Sequence, residues 1–303
     1  MGEAFDAVIV GGGPGGATTA FHLASLGRRV CVIDKATFPR EKVCGDGLTP
    51  RAVRRVLEMG IDTQGPEWTR NDGLRIIGAG TTLELPWPAL SEYPDYGLVR
   101  TRYDFDSVLL DAARKAGATV WEGVNVTAPV TDAAGVVTGV MIERETEPPA
   151  DEQGPATQDS GGDTRRRRRP MTAPERVDAG VVIACDGAAS RFGTALGGRR
   201  LERRPMGVAV RTYYRSPRAT DNYLESWLEL WRGDDLLPGY GWIFPLPDGT
   251  VNVGLGLLNS SQHFRSVDYR RLLEQWTAAM PPEWGLTRQN RVGGVRGGPL
   301  PMG

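Results

Sequence analysis

Cysteine is scarce in this chain: 303 residues carry only Cys31, Cys44 and Cys185, with no Cys-x-x-Cys pair. That excludes a disulfide framework and leaves no zinc-type spacing, so no metal is expected and a reducing, cytoplasmic setting fits. Histidine is scarcer still, and neither His22, on an expected helix, nor His263, in a polar loop, suggests a chemical role. No apolar run approaches the roughly 18 residues of a membrane span. The N-terminus opens on a strand pattern instead of a charged and then apolar leader. Charge of one sign is also missing: a net charge of -1 argues against bulk nucleic-acid affinity. The expectation is a protein neither exported nor membrane-spanning, for which peripheral contact with the inner face of the cell membrane stays open.

What is present reads as globular, with 40% hydrophobic and 24% charged residues. Ala4 to Val10 is an apolar run of the buried parallel-strand type, and it runs into Gly11-Gly12-Gly13-Pro14-Gly15-Gly16. Helical spacing follows over Ala17 to Leu26, then a second apolar strand ends at Asp34. Strand, glycines, helix, strand and terminal acid together predict a dinucleotide site. The first glycine permits the tight turn, the second lets backbone approach a pyrophosphate, and the third allows close helix packing. Asp34 can then accept from ribose hydroxyls.

Further along, a helix is expected from Pro50 to Leu57, a hairpin over residues 74–85 and a helix from Tyr103 to Ala116. Residues 145–175 change character, with Pro, Gly, Asp, Glu, Gln and Ser followed by the run Arg165 to Arg169. Such a segment cannot offset its ordering entropy and reads as a disordered insertion in a hairpin. Period-two runs between Gly207 and Leu258 suggest a mostly antiparallel sheet. Within them, Tyr240, Trp242 and Phe244 in Gly-Tyr-Gly-Trp-Ile-Phe-Pro would share one strand face, with Gly254 and Gly256 leaving room for something to approach the backbone. The wall could hold an apolar molecule, steady a cation, or be plain core.

Three further segments carry a resemblance. Ile183-Ala184-Cys185-Asp186-Gly187 and Arg102-Tyr103-Asp104-Phe105-Asp106 resemble the second FAD motif and the Arg-x-x-Phe-Asp helix start of aromatic-hydroxylase-type flavoproteins. Cys44-Gly45-Asp46-Gly47-Leu48, with Tyr-x-Trp-x-Phe-Pro and Gly-x-Gly later, resembles the geranylgeranyl reductase family of FAD-dependent oxidoreductases, and most of all its actinobacterial members that act on menaquinone. The resemblance implies an α/β fold: a Rossmann-like three-layer FAD-binding domain (1–70 and 98–206) and an antiparallel β-sheet substrate domain (71–97 and 207–290), with 291–303 returning toward the first. It implies FAD held by Gly11, Gly13, Pro14, Gly15, Gly16, Asp34, Arg40, Cys44, Gly45, Asp46, Gly47, Arg102, Val126, Asp186 and Gly187. It also implies a lipophilic, menaquinone-like prenyl substrate against Tyr240, Trp242, Phe244, Pro245, Gly254 and Gly256, and Cys44 as proton donor or relay. No separate NAD(P)H module is visible, so the electron donor is not identified.

The family's third FAD motif follows a Leu-Pro-Met-Gly segment, and this chain stops at Leu300-Pro301-Met302-Gly303, which implies a C-terminally truncated chain. Two alternatives stay open. One is a flavin-dependent monooxygenase or halogenase on the same fold; the only lysines, Lys35, Lys42 and Lys115, lie in no halogenase-like setting. The other is an inactive fragment that binds no flavin.

Overall fold

The computed structural model describes residues 4–144, 171–198 and 205–301. The chain begins with β1 (Ala4–Val10), the glycine turn, α1 (Pro14–Ser25) and β2 (Val30–Asp34). Next come β3 (Gly47–Leu48), α2 (Pro50–Glu58), β4 (Thr69–Asn71), the hairpin of β5 (Gly73–Gly78) and β6 (Thr81–Pro86), and β7 (Gly97–Val99). Helix α3 (Arg102–Lys115) leads to β8 (Thr119–Glu122), β9 (Val124–Thr131), β10 (Val137–Arg144), β11 (Glu175–Ala184) and the short α4 (Arg191–Ala195). The remainder comprises β12 (Met206–Arg215), β13 (Tyr223–Trp227), β14 (Leu230–Arg232), β15 (Asp235–Leu237), β16 (Gly239–Pro245), β17 (Thr250–Leu258), α5 (Tyr269–Ala278) and β18 (Arg291–Pro301).

Packing divides the chain into two compact units, Met1–Phe38 with Ala113–Arg199, and Pro39–Ala112 with Arg200–Gly303. The first holds a six-stranded sheet in the order β8-β2-β1-β11-β10-β9. Its first four strands are parallel, which explains why β1 and β2 read as unbroken apolar runs: both faces are covered. Val8, Val10, Cys31, Ile33, Val140 and Ile142 form its core, against which Val126 packs. Helix α1 sets Ala17, Ala20 and Ala24 inward, small side chains that let it lie close. At the sheet's other edge β10 and β11 are antiparallel, and Thr172 and Arg144 exchange hydrogen bonds (2.9 and 3.1 Å) where that hairpin is closed. The arginine run and most of the expected insertion lie outside the described residues.

The second unit is built on a seven-stranded sheet, β18-β12-β17-β16-β13-β5-β6, antiparallel except where β13 meets β5. Period two sorts its residues onto two faces. Val210, Ile243, Val251, Val253, Leu255 and Leu257 face Leu272, Leu273 and Trp276 of α5 and form the main core. Trp276 lies directly on Gly241, where a Cβ would meet its ring at 2.2 Å. The opposite face carries Tyr240, Trp242 and Phe244 on β16, Asn252, Gly254 and Gly256 on β17, and Ala209, Arg211 and Tyr213 on β12. Residues 291–301, read from the sequence as a return toward the first domain, form β18 and pair along β12. Their glycines hide the alternation by which strands are recognised. Segments 39–70 and 98–112, joined to the cofactor domain in the sequence reading, pack within this unit.

Candidate functional site

In the first unit the glycine turn is built by close approach. Gly11 has φ +107°, and a Cβ there would stand 2.4 Å from the Cys185 carbonyl oxygen; one at Gly16 would stand 1.9 Å from the Gly11 oxygen. Any side chain would push the helix off the strand. Gly15 differs, since no atom lies within 4 Å of its ideal Cβ. Helix α1 starts at Pro14 behind Gly13, which has no side chain to accept the first-turn amides. This cradle, with amide donors and the positive helix end, fits an anionic pyrophosphate.

Asp34 and Asp186, the two acidic site candidates of this unit, serve mainly backbone groups. Asp34 Oδ2 accepts from Gly12 N (2.7 Å) and Oδ1 from Ala36 N (2.8 Å). Asp186 caps α4, accepting from Arg191 N (2.8 Å), Phe192 N (3.0 Å) and the Ser190 hydroxyl. Gly187 follows in a left-handed turn at φ +89°. Both carboxylates therefore fix the shape of a loop; each Asp34 oxygen keeps a second lone pair for a further donor, as does Asp186 Oδ1, whereas Asp186 Oδ2 already accepts from two amides.

In the second unit the loop from Arg40 to Gly47 is fastened across the aromatic face of the sheet. Cys44 offers its carbonyl to Asn252 Nδ2 at 2.9 Å. Asp46, 2% exposed and in the left-handed region at φ +66°, accepts from Asn252 Nδ2 (2.7 Å), the Tyr213 hydroxyl (2.9 Å) and Arg102 N (2.9 Å). A Cβ on Gly45 would meet the Phe244 ring at 2.9 Å, and one on Gly47 would press on Leu224 and Phe244. Only glycine lets the loop lie this low. Further back, Glu41 Oε2 accepts from Arg211, a guanidinium only 1% exposed that also lies 4.4 Å from the Tyr213 ring centroid.

Arg102 completes the site from the start of α3. It holds Asp106 bidentately (2.6 and 2.9 Å), Arg40 joins the same carboxylate at 3.2 Å, and the Cys44 sulfur lies near enough to add to the electrostatic support of the Arg102 charge. Burial works against the Arg102 charge, but its pairing with Asp106 prevails and keeps it protonated. Burial pushes the Asp46 carboxyl above its ordinary range despite three donors, and pushes the Tyr213 hydroxyl up as well, with the Asp46 charge adding to it. Burial raises Tyr240 too, followed by the neighbouring Cys44 sulfur.

The aromatic residues form a ladder, with ring centroids 6.0 Å apart for Tyr240 and Trp242 and 6.5 Å for Trp242 and Phe244. Tyr240 is 37% exposed, whereas Trp242 is buried. The room at Gly254 is occupied by the protein itself: a Cβ there would lie 2.2 Å from the Trp242 ring. Gly256 is more open, its nearest neighbours at 3.8 to 4.0 Å being Val208 O, Leu300 and Trp242. Pro245 ends the strand, buried. Sequence reasoning missed Arg211, Tyr213 and Asn252, which stand in alternating strands outside every motif. Their shared face with Trp242, given by the strand register, is the signal that would have found them. Among the described residues no cluster of His, Cys, Asp and Glu could hold a metal, and no helix is long and apolar enough to cross a membrane.

A glycine turn of this build and an α/β architecture with a large antiparallel sheet define a flavoprotein class. Residues 4–234 match the FAD binding domain family, and the chain belongs to it; FAD is its cofactor. More particularly, the chain is 36% identical to the menaquinone reductase of Mycobacterium tuberculosis over 302 residues, 99% of this chain and 66% of that protein. It is 28% identical over 309 residues to the digeranylgeranylglycerophospholipid reductase of Thermoplasma volcanium, covering 98% of this chain and 66% of that one. In fold it matches the geranylgeranyl bacteriochlorophyll reductase-like protein of Thermoplasma acidophilum, with TM-score 0.71, 24% identity, and coverage of 99% and 66%. It also matches the myxobacterial chondrochloren halogenase, with TM-score 0.72, 19% identity, and coverage of 97% and 63%. The chain thus spans 66% of the length of the curated relatives it matches here.

Proposed function

We propose that this chain is the cofactor- and tail-binding part of an FAD-dependent oxidoreductase that reduces an isolated double bond in the prenyl tail of menaquinone or a related isoprenoid. The observation that carries this reading is the ladder of Tyr240, Trp242 and Phe244 with the Cys44 loop fastened across the same sheet face. The functional division proposed is FAD binding by 1–70 and 98–206, and substrate binding by 71–97 and 207–290.

Gly13, Pro14, Gly15 and Gly16 would present the first-turn amides of α1 to the pyrophosphate, while Gly11, Asp34, Val126, Asp186 and Gly187 hold the surrounding strand ends and loops in shape. Arg40, Gly45, Asp46, Gly47 and Arg102 form the second cofactor-side group, centred on Cys44. Bound and reduced, FAD supplies the hydride. An isolated alkene has no carbonyl to spread negative charge, so the chain's task is proton delivery. The Cys44 thiol gives its proton to one alkene carbon, and positive charge develops on the more substituted neighbour. The faces of Tyr240, Trp242 and Phe244 stabilise that charge, by about 0.5–2 kcal/mol each. The hydride that reduced FAD would supply completes the addition, and the Cys44 thiolate left near the Arg102 guanidinium regains a proton from solvent. Tyr240, at the exposed end of the ladder, and Gly256 beside it, buried but with no neighbour closer than 3.8 Å to its ideal Cβ, give the tail its path. A substrate of this kind resides in the bilayer, so the protein is placed at the inner membrane surface as a peripheral visitor.

The test is mass spectrometry of quinones from cells that lack the full-length gene and then regain it. Gene-dependent gain of two hydrogens in the menaquinone tail is expected, whereas change confined to other prenyl lipids contradicts the menaquinone assignment. Re-expression of the Cys44→Ser protein should lower conversion by roughly 100-fold or more, as loss of a positioned acid does. Full conversion would remove Cys44 from the mechanism.

A further inference from the structure

We infer that Asn252 is a positioning residue that fixes where the Cys44 thiol stands against the aromatic ladder. Its catalytic consequence rests on the prenyl-reductase reading, but its geometry does not. Asn252 is fully buried, and its amide has three protein partners. Oδ1 accepts from Trp242 Nε1 at 2.9 Å, while Nδ2 donates to the Cys44 carbonyl at 2.9 Å and to Asp46 Oδ2 at 2.7 Å. An indole N–H only donates and a carbonyl oxygen only accepts, so the amide has one satisfactory orientation. Turned over, it would set donor against donor at Trp242 and oxygen against oxygen at the loop.

One side chain thus ties the middle rung of the ladder to two points of the loop, the carbonyl of Cys44 itself and the carboxylate two residues on. Its base is rigid, because β17 lies inside the sheet between β12 and β16. The loop's other anchors are different in kind. Among the described residues, Arg102 N and the Tyr213 hydroxyl reach Asp46, Arg102 also lies near Cys44 from helix α3, and Arg211 reaches Glu41 and the Lys42 carbonyl, but none of them hydrogen-bonds both this loop and Trp242. Asn252→Asp keeps the shape of the side chain but sets a carboxylate oxygen against two acceptors, which should lift the loop.

The experiment measures alkylation of Cys44 by iodoacetamide, read by peptide mass spectrometry as a ratio to Cys185 in the same molecule. Cys185 is partly exposed and reports general loosening, while Cys31 is buried. In folded Asn252→Asp protein the Cys44 to Cys185 rate ratio should rise roughly tenfold, the effect of losing one well-made buried hydrogen bond. If that variant does not fold, Asn252→Ser, which keeps one donor, should raise the ratio roughly threefold. An unchanged or lowered ratio in the folded variant overturns the inference. In the full-length enzyme kcat should fall with KM held, as for a displaced proton donor. A raised ratio in a protein whose wild type reduces no prenyl tail would leave the positioning role standing and remove the reductase reading. Tail reduction with an unchanged ratio would do the reverse.

Discussion

Asp46 shows what a single residue can carry. A non-glycine residue in the left-handed region costs on the order of 1–3 kcal/mol and persists only where its surroundings hold it. Here Arg102, Tyr213 and Asn252 do so, from positions 56, 167 and 206 residues away in the chain. The sequence motif identifies the loop but not its anchors, because a polar residue at strand period looks solvent-facing until a distant segment covers it. Glycines are legible in the same partial way. Gly254 reads as room for a ligand and Gly15 as part of the cofactor turn, yet it is Gly15 that has open space, while Gly254 lies under the Trp242 ring. The expected outcome is a contrast. Gly254→Ala forces the ring and the Val210 carbonyl aside and should destabilise by about 1–3 kcal/mol. Gly15→Ala should leave the thermal midpoint unchanged while weakening FAD uptake, measured by melting and by flavin absorbance on one preparation.

At the scale of elements, period and punctuation served well. The β1-α1-β2 start, the β5–β6 hairpin and the strand bearing the ladder were all legible, since each has its own local pattern. Strand β18, with glycines where side chains would alternate, and the small sheet of β3, β7 and β4 were not, because only pairing with remote partners defines them. The parallel joint between β5 and β13 is held by side chains that no local pattern announces. Arg75 on β5 grips Asp221 at 3.1 and 2.9 Å and Glu225 at 3.1 Å, and Arg218 joins Asp221 as well. Burial would raise the Asp221 carboxyl, but Arg75 and Arg218 outweigh it and hold it below its ordinary 3.8. A carboxyl depressed in the folded state gives stability that is present above the unfolded pKa and is lost as pH falls through the folded one. Asp221→Asn should therefore lower stability by about 1–3 kcal/mol at neutral pH. The gap to wild type should close as melting is repeated below about pH 3.8. A constant gap from pH 7 to 2.5 would show that the Asp221 charge is not what matters.

For the whole molecule, one unit carries the glycine turn and its capped loops, the other the ladder and the fastened Cys44 loop. The same architecture serves reductases and halogenases, so fold alone leaves the chemistry open and the side chains on one sheet face must decide it. A thiol held beside an aromatic ladder suits protonation of an apolar alkene. The most direct measurement incubates the full-length protein, reduced and free of oxygen, with menaquinone bearing an unsaturated tail, and follows the tail by mass spectrometry. The account predicts saturation of one double bond without oxygen. Oxygen consumption with a hydroxylated or halogenated product, and a tail left unsaturated, would contradict it.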